Sequence, residues 1–212
     1  LEIQTDNTLQ HRIGLFAKAE GYSYAQQGKT TEALERLEHA ASILWSLRDP
    51  VNTVSALTSI GVTHLRIGKP IDAERFFENA LQIMQEAGLI ERVDHLWMNL
   101  GLTAIMTGKL VHARQYFAHA YQRYQTLQAI QPLALLYANT AMLHLIEEDV
   151  EAARAWISEA HQLLVDKEHP IARHTLYKVE GMLQLYIGVP DQAVHSLKKA
   201  LDLVHSHGLS YK

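Results

Sequence analysis

Small and large apolar residues recur along the chain at fixed intervals of 40 residues. Two alanines, seven positions apart, return in five consecutive segments: Ala33, Ala73, Ala113, Ala153 and Ala193, then Ala40, Ala80, Ala120, Ala160 and Ala200. A large apolar residue always stands between the two alanines, at Leu37, Phe77, Phe117, Ile157 and Leu197. Recurrence at one fixed period indicates five copies of a single structural unit.

Within each unit, the apolar positions fall on single faces of two helices with 3.6 residues per turn. The first helix carries a small residue where the second is expected to cross it, at Gly21, Gly61, Gly101, Ala141 and Gly181. A larger side chain there would push the helices beyond the roughly 8 to 10 Å of close helix packing. Each unit is therefore predicted to be a helical hairpin.

Turn residues mark the ends of the predicted helices. Glycine follows four of the five first helices, at Gly28, Gly68, Gly108 and Gly188. A left-handed residue commonly ends a helix at this place. In the fourth unit Glu148 takes the place of the glycine, and Asp149 is predicted to cap the next helix. The pattern predicts ten helices, near 8–27, 31–47, 50–67, 70–87, 90–107, 110–127, 131–147, 150–166, 170–187 and 190–206.

The units follow one another without a change in composition, which predicts a single domain over residues 1–212. The repeats have approximate bounds of 8–48, 49–88, 89–128, 129–168 and 169–208. The sequence opens with Leu1 instead of methionine, so we expect it to be part of a longer chain.

The order of small residue, glycine, alanine, large apolar residue and alanine resembles the tetratricopeptide repeat, and the resemblance covers essentially the whole chain. Units of 40 residues are longer than the family's usual 34. They are similar to the sensor domains of bacterial activators of the maltose-regulon type and of Gram-positive peptide-sensing regulators. The resemblance implies an all-α, right-handed superhelical solenoid of five hairpins, with the first helices lining its concave face.

A concave face of this kind would present side chains of the first helices to a partner. Methionine adapts to varied apolar surfaces, and an asparagine amide can pair with a peptide backbone. The alternative for each methionine is packing between neighbouring first helices. The candidate residues for binding a peptide or protein partner are His95, Met98, Asn99, Leu102, Met106, Asn139, Met142, Ile146, Lys178 and Met182.

Composition excludes several other classes of site. The net charge is -4 and the basic residues are scattered, so we expect no nucleic-acid binding through this domain. No apolar run approaches the roughly 20 residues of a membrane span, and we expect no membrane partner. The chain has no cysteine, its 13 histidines lack convincing ligand spacing, and no catalytic motif is present, so no metal, cofactor or catalysis is expected. Trp45, Trp97 and Trp156 fall on positions predicted to face the core.

Together these observations predict a non-catalytic, cytoplasmic module that binds a protein or peptide in its concave groove. The alternative is a sensor or dimerisation domain of a transcriptional regulator or other signalling protein with a separate effector domain. An RNA-binding helical repeat would need a basic groove, which Lys18, Arg66 and Lys178 alone do not supply.

The last predicted helix leaves apolar residues without a following helix to cover them. Leu197, Leu201 and Val204 form this stripe, whereas repeat arrays need a polar surface at their ends. We therefore expect either further chain or a homo-oligomeric contact at this end.

Overall fold

The structure is a computed structural model that describes residues 2–90 and 93–207. Within these residues all regular secondary structure is helical, which confirms the predicted all-α class. The ten helices of the described chain are α1 (Glu2–Gln26), α2 (Thr30–Ser46), α3 (Pro50–Arg66), α4 (Pro70–Glu86), α5 (Asp94–Met106), α6 (Leu110–Thr126), α7 (Ile130–Ile146), α8 (Val150–Leu163), α9 (Pro170–Tyr186) and α10 (Pro190–His207).

Seven of these helices begin and end within one residue of the predicted bounds, and three differ. Helix α1 begins at Glu2 instead of residue 8, because residues 2–8 contain no glycine or proline to stop it. Helix α5 begins at Asp94 instead of residue 90, since the backbone of Val93 is not helical. Helix α8 ends at Leu163, three residues early, ahead of a left-handed residue at Asp166 (φ 55°).

The contacts divide the chain into two compact units, Leu1–Gly108 and Lys109–Lys212. In the first unit, α1 packs on α2, α2 on α3, α3 on α4, and α4 on α5. In the second unit, α7 packs on α6, α8 and α9, and α9 packs on α10. The prediction of a single domain over 1–212 stays a prediction.

Small residues lie where the two helices of a hairpin cross. A Cβ atom added at Gly21 would lie 2.7 Å from Cγ of Leu37, and one added at Gly181 would lie 2.8 Å from Cγ of Leu197. Such distances are shorter than packed carbon atoms allow. The first alanine of every second helix has no exposed surface, at Ala33, Ala73, Ala113, Ala153 and Ala193. Close helix contact therefore accounts for both series of small residues.

The turns follow the predicted chemistry. The glycines after the first helices have left-handed backbones, with φ between 71° and 79°, at Gly28, Gly68, Gly108 and Gly188. Glu148 adopts the same conformation with φ 63°. Asp149 caps α8 by accepting a 3.1 Å hydrogen bond from the backbone N–H of Ala152.

The prediction that all three tryptophans face the core is wrong for Trp45, which is 56% exposed. Trp45 lies in the last turn of α2, one position after the fully buried Leu44. Because neighbouring positions on a helix point about 100° apart, Leu44 takes the inward direction and Trp45 is turned toward solvent. Trp97 and Trp156 are half-buried.

Candidate functional site

Helices α7 and α9 of the second unit are in direct contact and carry five of the ten predicted partner-binding residues. Apolar side chains remain accessible there: Ile146 is 45% exposed, Met182 39% and Tyr186 52%. Met142 is half-buried on α7, and Lys178 is exposed on α9. We call the surface formed by Met142, Ile146, Lys178, Met182 and Tyr186 the α7–α9 face. It combines exposed apolar area with one cation.

Asn139 also lies on α7 but is only 3% exposed. Its Nδ2 atom is buried and has no hydrogen-bond partner among the described residues. A partner could reach this amide only after neighbouring side chains move. The predicted role of Asn139 in gripping a peptide backbone therefore needs a rearrangement that the sequence did not indicate.

The other five predicted residues lie on α5 in the first unit. His95 and Met106 are exposed, and Asn99 and Leu102 are half-buried. Met98 is only 8% exposed. Its burial agrees with the alternative that a methionine at this position packs between neighbouring helices. Partner binding by these residues stays a prediction.

A polar network in the first unit was not predicted. The ammonium group of Lys18 donates a 2.6 Å hydrogen bond to Oδ1 of Asn52, and Nδ2 of Asn52 donates one of 2.7 Å to Oδ2 of Asp49. Nε2 of His11 lies 2.8 Å from the same Asp49 oxygen. This network links α1 to the turn before α3, so the ammonium group of Lys18 already has a hydrogen-bond partner within the protein.

The network also shifts two pKa values. Burial lowers the pKa of Lys18, against the opposing charge of Asp49. Desolvation acts to raise the pKa of Asp49, but hydrogen bonds from His11 and Asn52 outweigh it and leave that pKa below its ordinary value. Both shifts follow from structural contacts between helices and do not by themselves indicate catalysis.

A second feature that the sequence analysis missed is a cavity of about 350 Å³ in the second unit. It lies between α6, α7 and α8 and has mostly aromatic and aliphatic walls, formed by Phe117, Tyr121, Leu136, Tyr137, Leu143 and Trp156. Thr140 stands in its wall, where the aligned residues of the second and third repeats are Ile60 and Leu100. The smaller residue at position 140 is the feature of the sequence from which the cavity could have been predicted.

The described part of the chain lacks two other kinds of site. No group of three or more histidine, aspartate or glutamate side chains is placed to hold a metal ion among residues 2–90 and 93–207. None of the helices within those ranges combines the length and apolar character that crossing a bilayer requires.

The repeated hairpins with small residues at their crossings are similar to the tetratricopeptide repeat. The family model described as Tetratricopeptide repeat matches residues 16–86, which lie within α1 to α4. The resemblance inferred from the sequence is thereby confirmed. No curated protein matches the sequence.

Solved structures extend the likeness to nearly the whole chain. BtubC (BKLC) from P. vanneervenii is 19% identical with a TM-score of 0.69, over 98% of this chain and 93% of that one. The Rap conjugation gene regulator of plasmid pLS20, in complex with the Phr* peptide, is 19% identical with a TM-score of 0.74, over 98% of this chain. A Rap protein complexed with Competence and Sporulation Factor is 15% identical with a TM-score of 0.76, over 91%.

The match spans 57% and 54% of the two Rap chains. At these identities the likeness shows the fold alone. It confirms the predicted all-α class of tetratricopeptide-like helical solenoids.

Proposed function

We propose that the chain is a non-catalytic module that binds a protein or peptide, in a cytoplasmic regulatory or signalling system. The observation that carries the proposal is the α7–α9 face, where Ile146, Met182 and Tyr186 are exposed apolar residues on the same two packed helices as the exposed Lys178. Several exposed apolar side chains on neighbouring helices are one sign of an interaction site. The two Rap structures, solved with a peptide and with a factor bound, support the same class of function for a fold of this kind.

The chemistry of the α7–α9 face favours a particular kind of segment. Flexible methionine side chains can fit several apolar shapes, and Tyr186 offers a ring with a polar end. Lys178 favours a carboxylate beside the apolar anchors. The expected partner segment therefore carries two or three apolar side chains, spaced as on one face of a helix, and an acidic residue.

A peptide selection tests this function without a known partner. Random peptides displayed on phage are selected against the chain, and the affinities of synthetic copies are measured by fluorescence anisotropy. We expect the selected peptides to be apolar and acidic, and Met182→Asp or Ile146→Asp to weaken them by about tenfold or more, as loss of a central anchor does. Val111→Asp is the matched control, because Val111 is a more exposed apolar residue on α6.

Two results would count against the proposal. Failure to select any saturable peptide from several libraries would contradict peptide binding. Equal effects of the Met182, Ile146 and Val111 substitutions would contradict the assignment to the α7–α9 face.

The role as a sensor or dimerisation domain is supported by a different observation. Helix α10 exposes Leu197 and Leu201 of the predicted stripe and also Val194, whereas Val204 is half-buried. The residues aligned with Leu197 in the other repeats are buried, at Leu37, Phe77, Phe117 and Ile157. We propose that a second copy of the chain covers this stripe. Analytical ultracentrifugation should show concentration-dependent association that Leu201→Glu abolishes, and a monomer at all concentrations would contradict it.

A further inference from the structure

Neighbouring hairpins join through one kind of contact, in which the second helix of one hairpin packs on the first helix of the next. The pairs are α2 with α3, α4 with α5, α6 with α7, and α8 with α9. Among the described helices, α1 has no second helix before it and α10 has no first helix after it. These two helices therefore present the two halves of a contact that the internal hairpins complete.

Helix α1 carries an exposed apolar stripe at its half of this contact. Leu9, Ile13 and Phe16 are four and three positions apart, which places them on one side of the helix, and Phe16 is 66% exposed. The residues aligned with Phe16 in the later repeats are at most 2% exposed, at Ala56, Leu96, Leu136 and Leu176. We call Leu9, Ile13 and Phe16 the α1 face.

The exposure of the α1 face results from the lack of a preceding hairpin. Helix α1 keeps its contacts with α2 and α3, so its own hairpin and the next one are in place. The residues aligned with Ile13 are buried in the second, third and fourth repeats, at Thr53, Val93 and Leu133. The α1 face thus holds apolar side chains at positions that later repeats bury.

Helix α10 carries the other half of the contact. Leu197, Leu201 and Val204 have the same spacing of four and three positions as the residues of the α1 face. Leu197 and Leu201 are exposed and Val204 is half-buried. The residues aligned with Val204 in the other repeats are at most 1% exposed, at Leu44, Met84, Tyr124 and Leu164. We call Leu197, Leu201 and Val204 the α10 face.

A second copy of the chain accounts for both faces at once. It brings an α1 face to the α10 face of the first copy, and each apolar stripe then covers one of equal spacing. A contact between two α10 faces would leave both α1 faces in water, at the cost of exposed apolar area. The head-to-tail contact instead repeats the way in which the internal hairpins join.

We propose that copies of the chain associate head to tail, with the α10 face of one copy packed on the α1 face of the next. The inference rests on the proposal that a second copy covers the stripe on α10, and it adds which surface of that copy does so. The two helices run antiparallel, as neighbouring helices joined by a short turn do. Such a contact is heterologous, so a dimer still has one free face at each end and association continues past two copies.

Two blocked variants test the arrangement. Phe16→Glu places a charge in the α1 face and leaves the α10 face intact, and Leu201→Glu does the reverse. Both residues are exposed, so the melting temperatures should equal that of the parent. Sedimentation should show self-association weakened by about tenfold or more in each variant, as loss of a central anchor does.

Mixing the two variants tests the pairing of the faces. The Phe16→Glu copy supplies an intact α10 face, and the Leu201→Glu copy supplies an intact α1 face. An equimolar mixture should form a 1:1 heterodimer with an affinity close to that of the parent, and nothing larger, because both outer ends are blocked. Absence of the heterodimer would overturn the head-to-tail contact.

A control variant and the parent separate this inference from the proposal beneath it. Tyr22→Glu changes an exposed aromatic residue on another side of α1 and should associate as the parent does. Association that Leu201→Glu abolishes and Phe16→Glu leaves intact would support a second copy on α10 and exclude the α1 face as its partner surface. A parent chain that is monomeric at all concentrations would overturn both.

Discussion

The end of each first helix depends on one residue with a left-handed backbone. Glycine supplies it in four repeats, and Glu148 supplies it in the fourth repeat with φ 63°. A side chain in this conformation costs roughly 1 to 2 kcal/mol because its Cβ atom approaches the following carbonyl oxygen. Glu148 is exposed, so its side chain contributes little packing in return.

We therefore expect Glu148→Gly to stabilise the protein. Relief of the backbone strain should raise the free energy of unfolding by about 0.5 to 1 kcal/mol, net of the added freedom of glycine in the unfolded chain. Urea denaturation followed by circular dichroism measures the change. Glu78→Gly is the control: Glu78 is exposed within α4, where glycine should cost about 1 kcal/mol. Destabilisation by both substitutions would contradict this account.

At the scale of the helix pair, the crossing distance is set by matched residues on two helices. A Cβ atom at Gly61 would lie 2.7 Å from Cζ of Phe77. The fourth repeat instead has alanine at the crossing, and Ile157 stands at the place of Phe77. Glycine faces a leucine or phenylalanine at Gly21, Gly61 and Gly181, so the size of one partner is linked to the size of the other.

Gly61→Ala should destabilise the protein although alanine favours helices. We expect a loss of about 1 to 3 kcal/mol from overpacking against Phe77. Adding Phe77→Ile reproduces the Ala141 and Ile157 pair and should recover part of the loss, with a coupling of at least about 0.5 kcal/mol in a double-mutant cycle. Strict additivity of the two substitutions would show that the two side chains do not set the crossing distance.

Contacts between neighbouring hairpins also include ionic pairs, of which Glu180 on α9 is an example. The ion-pair contact with His161, whose Nε2 lies 3.6 Å from Oε2 of Glu180, is the main cause of the lowered pKa of Glu180. Desolvation opposes it, and Ser196 and Lys199 add to the lowering. A lowered pKa in the folded state stabilises the fold above the ordinary value of 4.5, and this stabilisation is lost as the pH falls through the folded-state pKa.

Glu180→Gln should therefore change the pH dependence of stability. The unfolding free energy of the variant should be lower than that of the parent at pH 6, and the gap should narrow as the pH falls from 4.5 toward 3. Urea denaturation at a series of pH values measures it. Glu78→Gln provides an exposed glutamate control. A gap that is constant with pH would contradict a role for the carboxylate charge.

At the scale of the whole molecule, the division into two compact units affects where the chain loses stability when one repeat is weakened. Helical repeats contact mainly their neighbours along the chain, so a local defect weakens nearby repeats most. Leu37→Ala on α2 removes a fully buried side chain, at a cost of about 2 to 5 kcal/mol. Hydrogen exchange should then accelerate in α1 to α3 more than in α7 to α10.

The reciprocal substitution is Leu143→Ala, since Leu143 is fully buried on α7. It should produce the opposite pattern, with faster exchange mainly in α7 to α9. Equal acceleration along the whole chain in both variants would show one cooperative domain, as the sequence analysis predicts.

The fold could be predicted closely because its determinants are local and repeated. The glycine turns and buried alanines identify hairpins from the sequence, and α5 departs at Val93, where no glycine or proline marks the boundary. The candidate site was harder to predict, because the position of a residue around a helix predicts the direction of its side chain but not how much of that side chain is exposed. Met98 and Met182 share that phase, yet Met98 is buried and Met182 exposed. Asn139 was likewise predicted to face a partner and is buried.

The aromatic cavity depends on one side chain within a regular frame, and this has an evolutionary consequence. Every isoleucine codon differs from a threonine codon by a single nucleotide, so one transition at position 140 can close or open the space while leaving the neighbouring hairpins unchanged. Selection can thus add or remove a pocket at one junction of the array without redesigning any other junction.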